Sequence, residues 1–343
     1  MKSLHPIFEE QLEFIRDEKG NAVIGGTVFT PAAILKADID AYEDEFSKWF
    51  SERWLPEQND LLEQIMEFSS NKRRFADLCS ALKNGQVVPL IGSGMSVPSG
   101  LPSWSDFLRL IRCHSSMDEA ELEEMIEDSA FERAVDRLRQ TIPRRLFDEQ
   151  IEHNLFIERS TINGPIHFLP ELFDKLILTT NLDDIIEQLF EDRDRRFSHV
   201  LAGNDIGNYR RLMASSERVL LKLHGDCRNR EGQVLGEAEY DQAYGNGSLI
   251  RNELSMIYRT YSLLCVGCSL GPDRTVSLLS EVAGTDDGMP RHYAFLHKPE
   301  DVNVISKEHF LTERGIFPIW YNGDHDECIQ ALFVGMLQKL EKI

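Results

Sequence analysis

The chain has 343 residues, 42% of them hydrophobic and 28% charged, enough apolar material for a full core, which excludes a disordered polymer. Its 37 basic residues against 58 acidic ones leave a formal charge of −21, which opposes direct binding to nucleic acid or to an acidic membrane surface. No stretch approaches the roughly 20 apolar residues that span a bilayer, and the opening Met1-Lys2-Ser3-Leu4-His5-Pro6 lacks a secretory apolar core.

Six scattered cysteines, Cys79, Cys113, Cys227, Cys265, Cys268 and Cys328, read as the thiols of a reducing cytoplasm. Residues 1–70 read as a helical appendage: Phe8, Leu12 and Ile15 fall at helical spacing, Gly25-Gly26 interrupts, and Thr30-Pro31 supplies an N-cap and a first helical position. The next helix carries an apolar stripe of Ile34, Ile39, Tyr42, Phe46, Trp49 and Phe50. Such a stripe has to be covered, by the main domain or by another subunit, and its richness favours an oligomer contact. Lys72–Asn84 reads as a short helix stopped by Gly85.

That helix feeds Val87-Val88-Pro89-Leu90-Ile91, an apolar run that breaks into Gly92-Ser93-Gly94-Met95-Ser96. A buried strand ending in small residues lets backbone N–H groups close on a phosphate, or simply packs tightly. Val97 to Ser105 holds two prolines and a glycine, with Ser103 or Ser105 placed to cap a helix through Ile111. Residues 117–159 read as acidic helices: Glu121, Glu123, Glu124, Glu127 and Asp128 form a solvated face, with Leu122, Ile126, Leu146, Ile151 and Leu155 turned inward.

Apolar runs at 176–180, 219–223, 262–266, 293–296 and 316–320 then alternate with enough chain for crossovers. The expected architecture is α/β: a Rossmann-like parallel sheet in a domain from 71 to 343, with a helical insertion at about 105–170 and the N-terminal helical appendage. Pro89 and Pro318 are awkward inside central strands. Nearly every predicted strand ends in a small or polar cluster: 92–94, 181–183, 224–226, 267–269 and 321–324. Ligands of open α/β sheets bind at the carboxyl ends of the strands, so all five clusters are expected to line one crevice.

The first cluster matches neither common phosphate fingerprint. A third glycine of G-x-G-x-x-G would fall at Val97, and no Gly-Lys-Ser/Thr follows. Taken together, however, Gly92-Ser93-Gly94-Met95-Ser96 with Gly100-Leu101-Pro102-Ser103-Trp104, then Thr179-Thr180-Asn181-Leu182-Asp183, Lys222-Leu223-His224-Gly225-Asp226 and Val266-Gly267-Cys268-Ser269 resemble the sirtuin-like domain. The likeness is closest to its bacterial branch, the NAD-hydrolysing effectors of anti-phage defence, and covers about residues 75–335.

The resemblance implies NAD as substrate. Gly92, Ser93, Gly94 and Ser96 match the turn around the phosphates, and Gly267 and Ser269 match the loop near the adenosine half. Asn181 and Asp183 match the pair beside the nicotinamide ribose and His224 the histidine facing it, with Thr180 and Gly225 beside them in the binding set. Protein-deacylating relatives carry a four-cysteine zinc ribbon, whereas the only C-x-x-C pair here is Cys265 with Cys268, so no zinc is expected. Pro102-Ser103-Trp104 also replaces the Asp-Phe-Arg of the deacylases, which leaves water as the acceptor.

Cleavage of the nicotinamide bond passes through an oxocarbenium-like state that needs positioning and charge stabilisation more than a strong acid. Asn181 would orient the attacking water and the nicotinamide ribose, Asp183 hold that loop or polarise Asn181, and His224 accept a proton from water or a ribose hydroxyl. The competing readings are a helix N-cap for Asn181 and Asp183 before Ile185, and a hydrogen-bonded strand-end histidine for His224. Functionally, the expectation is an NAD⁺ glycohydrolase releasing nicotinamide and ADP-ribose, held off until a regulatory protein partner of the same defence system, oligomerisation or a nucleotide signal releases it. The alternative is a sensor that binds NAD or ADP-ribose without turnover. His167, His292, His297 and His325 read as surface or core histidines.

Overall fold

A computed structural model of the protein describes residues 4–14, 22–24, 27–156, 162–214, 217–270, 277–278, 281–282, 288–298 and 304–343. Ile15, Gly25, Gly26 and residues 157–159, which figure in the expectations above, lie outside them. After a short antiparallel hairpin, β1 (Ala22–Ile24) and β2 (Thr27–Phe29), come seven strands: β3 (Val87–Ile91), β4 (Leu176–Thr179), β5 (His199–Ala202), β6 (Val219–Lys222), β7 (Ser262–Val266), β8 (His292–His297) and β9 (Ile316–Tyr321). They form one parallel sheet in the order β5-β6-β4-β3-β7-β8-β9.

The strands are near-continuous apolar runs because both faces of the sheet are covered. Side chains alternate between two buried clusters: Ile91, Ile177, Leu220 and Leu264 enter one, and Leu90, Leu178, Leu221 and Cys265 the other. Each fully buried residue of this size contributes about 1.5–3 kcal/mol. The fold is a Rossmann-like α/β sandwich.

Pro89 is tolerated in central β3 because the β3–β4 ladder pairs only Leu90 and Ile91, beyond the missing N–H. Pro318 lies in β9, which is an edge strand. β5 escapes sequence reading because it is a four-residue edge strand in which Leu201 alone is buried.

Thr30 caps helix Pro31–Leu35 through its Oγ1, which accepts from Ala33 N at 3.2 Å. The aromatic stripe is divided between the core and the surface. Tyr42, Phe46 and Trp49 close on Leu4 and Phe8 within the same apolar cluster as the sheet, while Ile34 and Ile39 are exposed. A π-helical segment, Trp49–Trp54, carries the chain into helix Leu55–Met66. That helix packs against His325–Lys339 where Gly335 admits it: a Cβ there would lie 2.5 Å from Leu62 Cδ2. Buried residues on both sides of position 70 thus share one apolar cluster.

Helices Trp104–Arg112, Glu119–Glu127, Phe131–Arg139 and Arg144–Leu155 bury a third cluster of their own around Phe107, Ile111, Leu122, Leu138 and Phe147. Ser103 caps the first of them, accepting from Asp106 N at 3.2 Å. Two carboxylates of the acidic face are paired: Arg109 holds Glu123 through two bonds of 2.8 Å, and Arg137 holds Glu121 at 2.8 Å.

Candidate active site

The order of the strands shows where a ligand goes. From β3 the chain builds outward to β4 and to the edge strand β5, returns to set β6 between them, then crosses to β7 on the other side of β3. Connections leaving in opposite directions open a crevice at the carboxyl ends of β3 and β7. A cavity of about 410 Å³ lies there, floored by Gly92, Ser93, Gly94, Gly267 and Ser269 and flanked by Thr180, Asn181, Asp183 and His224. The helical insertion roofs it with Trp104, Phe131 and Leu155. Four of the five strand-end clusters thus converge. The fifth, 321–324, does not, because β9 is three strands from β3 and Asp324 is spent capping the last helix.

The floor works by closeness. A Cβ on Gly92 would come 2.4 Å from Gly267 O, and one on Gly267, at φ +69°, would come 2.7 Å from Met95 N. Only glycine allows the two turns to touch. The N–H groups of Gly92, Gly94, Met95 and Ser96 are all engaged by backbone carbonyls at 2.9–3.1 Å, so the turn does not offer the row of free amide donors expected from its sequence. No lysine or arginine lines the cavity among the described residues, whereas Asp183 and Glu132 do.

Ser96 is almost fully buried and does not line the cavity. Its hydroxyl donates to Asp183 Oδ2 at 2.9 Å, so its oxygen is left to accept from Asn181 Nδ2 at 3.0 Å. These bonds fix the direction of the Asn181 amide, and Ser96 stands behind the cavity wall. Asp183 Oδ1 also accepts from Ile185 N at 3.2 Å, so the helix-capping reading of this carboxylate and its place at the cavity both hold. Burial pushes its carboxyl above the usual range, against the Ser96 hydroxyl and the Lys222 charge.

Lys222, which composition and motif reading left without a role, is fully buried beneath the same loop. Its Nζ donates to Asp183 O at 2.7 Å, Leu182 O at 3.3 Å, Glu187 Oε1 at 2.8 Å and Asp226 Oδ2 at 2.6 Å. Burial opposes its charge, but the Glu187 and Asp226 carboxylates outweigh that and raise its pKa. One ammonium thereby ties the loop after β4 to the loop after β6. The sequence signal was available: a lysine inside an apolar strand run needs buried partners.

His224 sits deep in the cavity, and burial lowers its pKa to about 4, so the imidazole is neutral at physiological pH. Its Nε2 lies 3.0 Å from Tyr244 Oη and its Nδ1 3.4 Å from Tyr240 Oη. Gly225 does not line the cavity. It takes φ +89° with its Cα against the backbone of Gly232 and Gln233, where a Cβ would sit 2.8 Å from Gln233 Cα. His167, His292, His297 and His325 stand outside the cavity.

Among the described residues no group of three or more histidine, cysteine or acidic side chains could hold a metal ion. Cys265 is buried within β7, and Cys268 Sγ points at Leu90 O and Val266 O, each 3.6 Å away. No helix among the described residues is long and apolar enough to cross a membrane.

Residues 175–319 match the family model of the SIR2-like domain, a span that runs from β4 into β9 and includes Asn181 and His224. Over that span the chain is similar to a sirtuin-like domain. It is similar to "Defense-associated sirtuin 2" of Bacillus subtilis, 26% identical over 252 residues that make up 70% of this chain and 22% of that protein. The chain thus spans about a fifth of that relative's length. A solved structure titled "Structural Basis for the Mechanism and Regulation of Sir2 Enzymes" is 15% identical, with a TM-score of 0.41 over 78% of this chain and 98% of the other.

Proposed function

We propose that the protein is an NAD⁺ glycohydrolase that acts in anti-phage defence by depleting NAD⁺. The observation that carries this reading is the meeting of Asn181 and His224, 43 residues apart in the chain, across one cavity floored by touching glycine turns. The cavity suits the charge of the nicotinamide end of the substrate. Its acidic and uncharged lining accommodates the nicotinamide cation, and the apolar roof residues Trp104, Phe131 and Leu155 suit a flat ring.

In the reaction, water adds to the ribose carbon C1′ as the bond to nicotinamide breaks. The bonding electrons pass to the pyridinium nitrogen, giving neutral nicotinamide, ADP-ribose and one proton. Asn181, its amide held by Ser96, orients the water through its Oδ1. Neutral His224 is the proton acceptor, and Asp183 keeps the loop in place. The printed name of the Bacillus relative supports the defence role. An enzyme of this kind is toxic to its host, so the reading includes a restrained state and a regulatory protein partner, with self-association as a second means of control. No zinc has a part in it, and it takes the protein to work in the cytoplasm.

The test is release of nicotinamide from NAD⁺ by purified protein, alone and with the products of neighbouring genes, beside an Asn181→Ala control. Release by the wild type and not by the control supports the reading. Heat of NAD⁺ binding without any release, in every combination, overturns it in favour of a sensor.

A further inference from the structure

His224 presents neither ring nitrogen directly to a substrate. Tyr240 and Tyr244 lie one turn apart on helix Glu237–Tyr244, their rings stacked with centroids 5.7 Å apart and planes 17° apart. The imidazole meets both edge-on, at centroid distances of 5.1 Å and 6.1 Å. One hydroxyl faces each ring nitrogen. The two tyrosines differ in where they stand: Tyr240 lines the cavity, whereas Tyr244 is buried and does not. The helix is held at its start, where Glu239 Oε2 accepts from Gly236 N at 2.8 Å and Leu235 N at 2.9 Å, and where Arg139 of the roof binds Glu239 at 2.8 Å.

A neutral imidazole has one N–H and one lone pair. With Nε2–H donating to Tyr244 Oη, the lone pair is on Nδ1, facing the hydroxyl of Tyr240. We infer that Tyr240 is a catalytic residue that passes the proton of the attacking water to His224, and that Tyr244 is the positioning residue that fixes the required tautomer. This rests on the hydrolase reading above. As water bonds to C1′ and nicotinamide leaves with the bonding electrons, the water proton moves to Tyr240 Oη. The tyrosine's own proton moves to Nδ1, and His224 becomes an imidazolium that later returns its proton to solvent. The 3.4 Å between Nδ1 and Oη is a separation that tightens when substrate fills the site.

The experiment compares NAD⁺ turnover by the full chain, in the form in which it is active, for the wild type, Tyr240→Phe, His224→Ala and the double variant. Tyr240→Phe is expected to lower kcat about 100-fold with KM for NAD⁺ within about twofold. The double variant should be no slower than His224→Ala alone, since the two groups act as one path. In parallel, nitrogen NMR of the labelled histidine rings should show His224 protonated on Nε2 in the wild type, with that preference lost in Tyr244→Phe. An active wild type with full kcat in Tyr240→Phe, or with additive losses in the double variant, overturns the relay alone. A proton found on Nδ1 overturns it whatever the turnover. A wild type that never consumes NAD⁺ overturns the hydrolase reading and the relay together.

Discussion

At the ends of β3, β4, β6 and β7 the chain turns into a hollow, while at the end of β9 it turns into an exposed loop, 322–324, that caps the last helix. The ingredients on the two flanks are alike. Each has a glycine at positive φ, Gly267 at +69° and Gly323 at +124°, and each has histidine beside tyrosine, His224 with Tyr240 and His325 with Tyr321. Topology separates them. Where the winding reverses between β3 and β7 the connections part and leave space, and β9, at the edge of the sheet, stands three strands from that space. Chemistry-bearing residues become a site only where the order of strands leaves room.

The contrast is broken most severely at the two asparagines. Asn181→Ala is expected to cut nicotinamide release at least about 100-fold, the range for loss of one preorganised polar group, and Asn322→Ala to leave it within about twofold. The paired glycines sharpen it next. Alanine at either position meets backbone strain of about 1–3 kcal/mol, visible in thermal unfolding. Only Gly267→Ala should also weaken NAD⁺ binding, because its Cβ would press on Met95 whereas one on Gly323 meets only Cys328 Sγ at 3.6 Å.

Two histidines, half-buried His224 and fully buried His292, extend the comparison to pH. Burial lowers both His224 and His292 from 6.5 to about 4. Between those values the unfolded chain holds more protons than the folded one, so stability that is full above pH 6.5 is lost as pH falls toward 4. His292 stands outside the cavity, with its Nδ1 accepting from Leu263 N at 3.0 Å. His292→Asn should flatten the acid slope of unfolding free energy and keep turnover, and His224→Gln should flatten it and lose turnover. Turnover by the wild type should stay level from pH 6 to 8 and fall only near pH 4. The smallest effect belongs to the exposed face of the roof, where Arg109→Ala should leave the melting temperature unchanged within error despite its bidentate hold on Glu123.

Much of this was legible in the chain itself. Six of the seven sheet strands announce themselves as apolar runs, and Asn181 and His224 follow two of them directly. What stayed hidden depends on contacts between distant segments. The stripe of Tyr42, Phe46 and Trp49 has the composition of an interface but closes on its own core. Ser96 sits in a phosphate-binding pattern yet spends its hydroxyl on Asp183 and Asn181. Tyr240 and Tyr244 lie in a helix with no motif, and only the fold brings them to His224.

Leu182 lies between the two cavity residues Asn181 and Asp183, and its side chain is buried in the apolar cluster of the helical roof, beside Cys227 from the loop after His224. The roof is thus bolted to the loops that carry Asn181 and His224 by their own intervening residues. Tilting those four helices would work as a lever on the amide and the imidazole at once, with no need for any ligand to touch either.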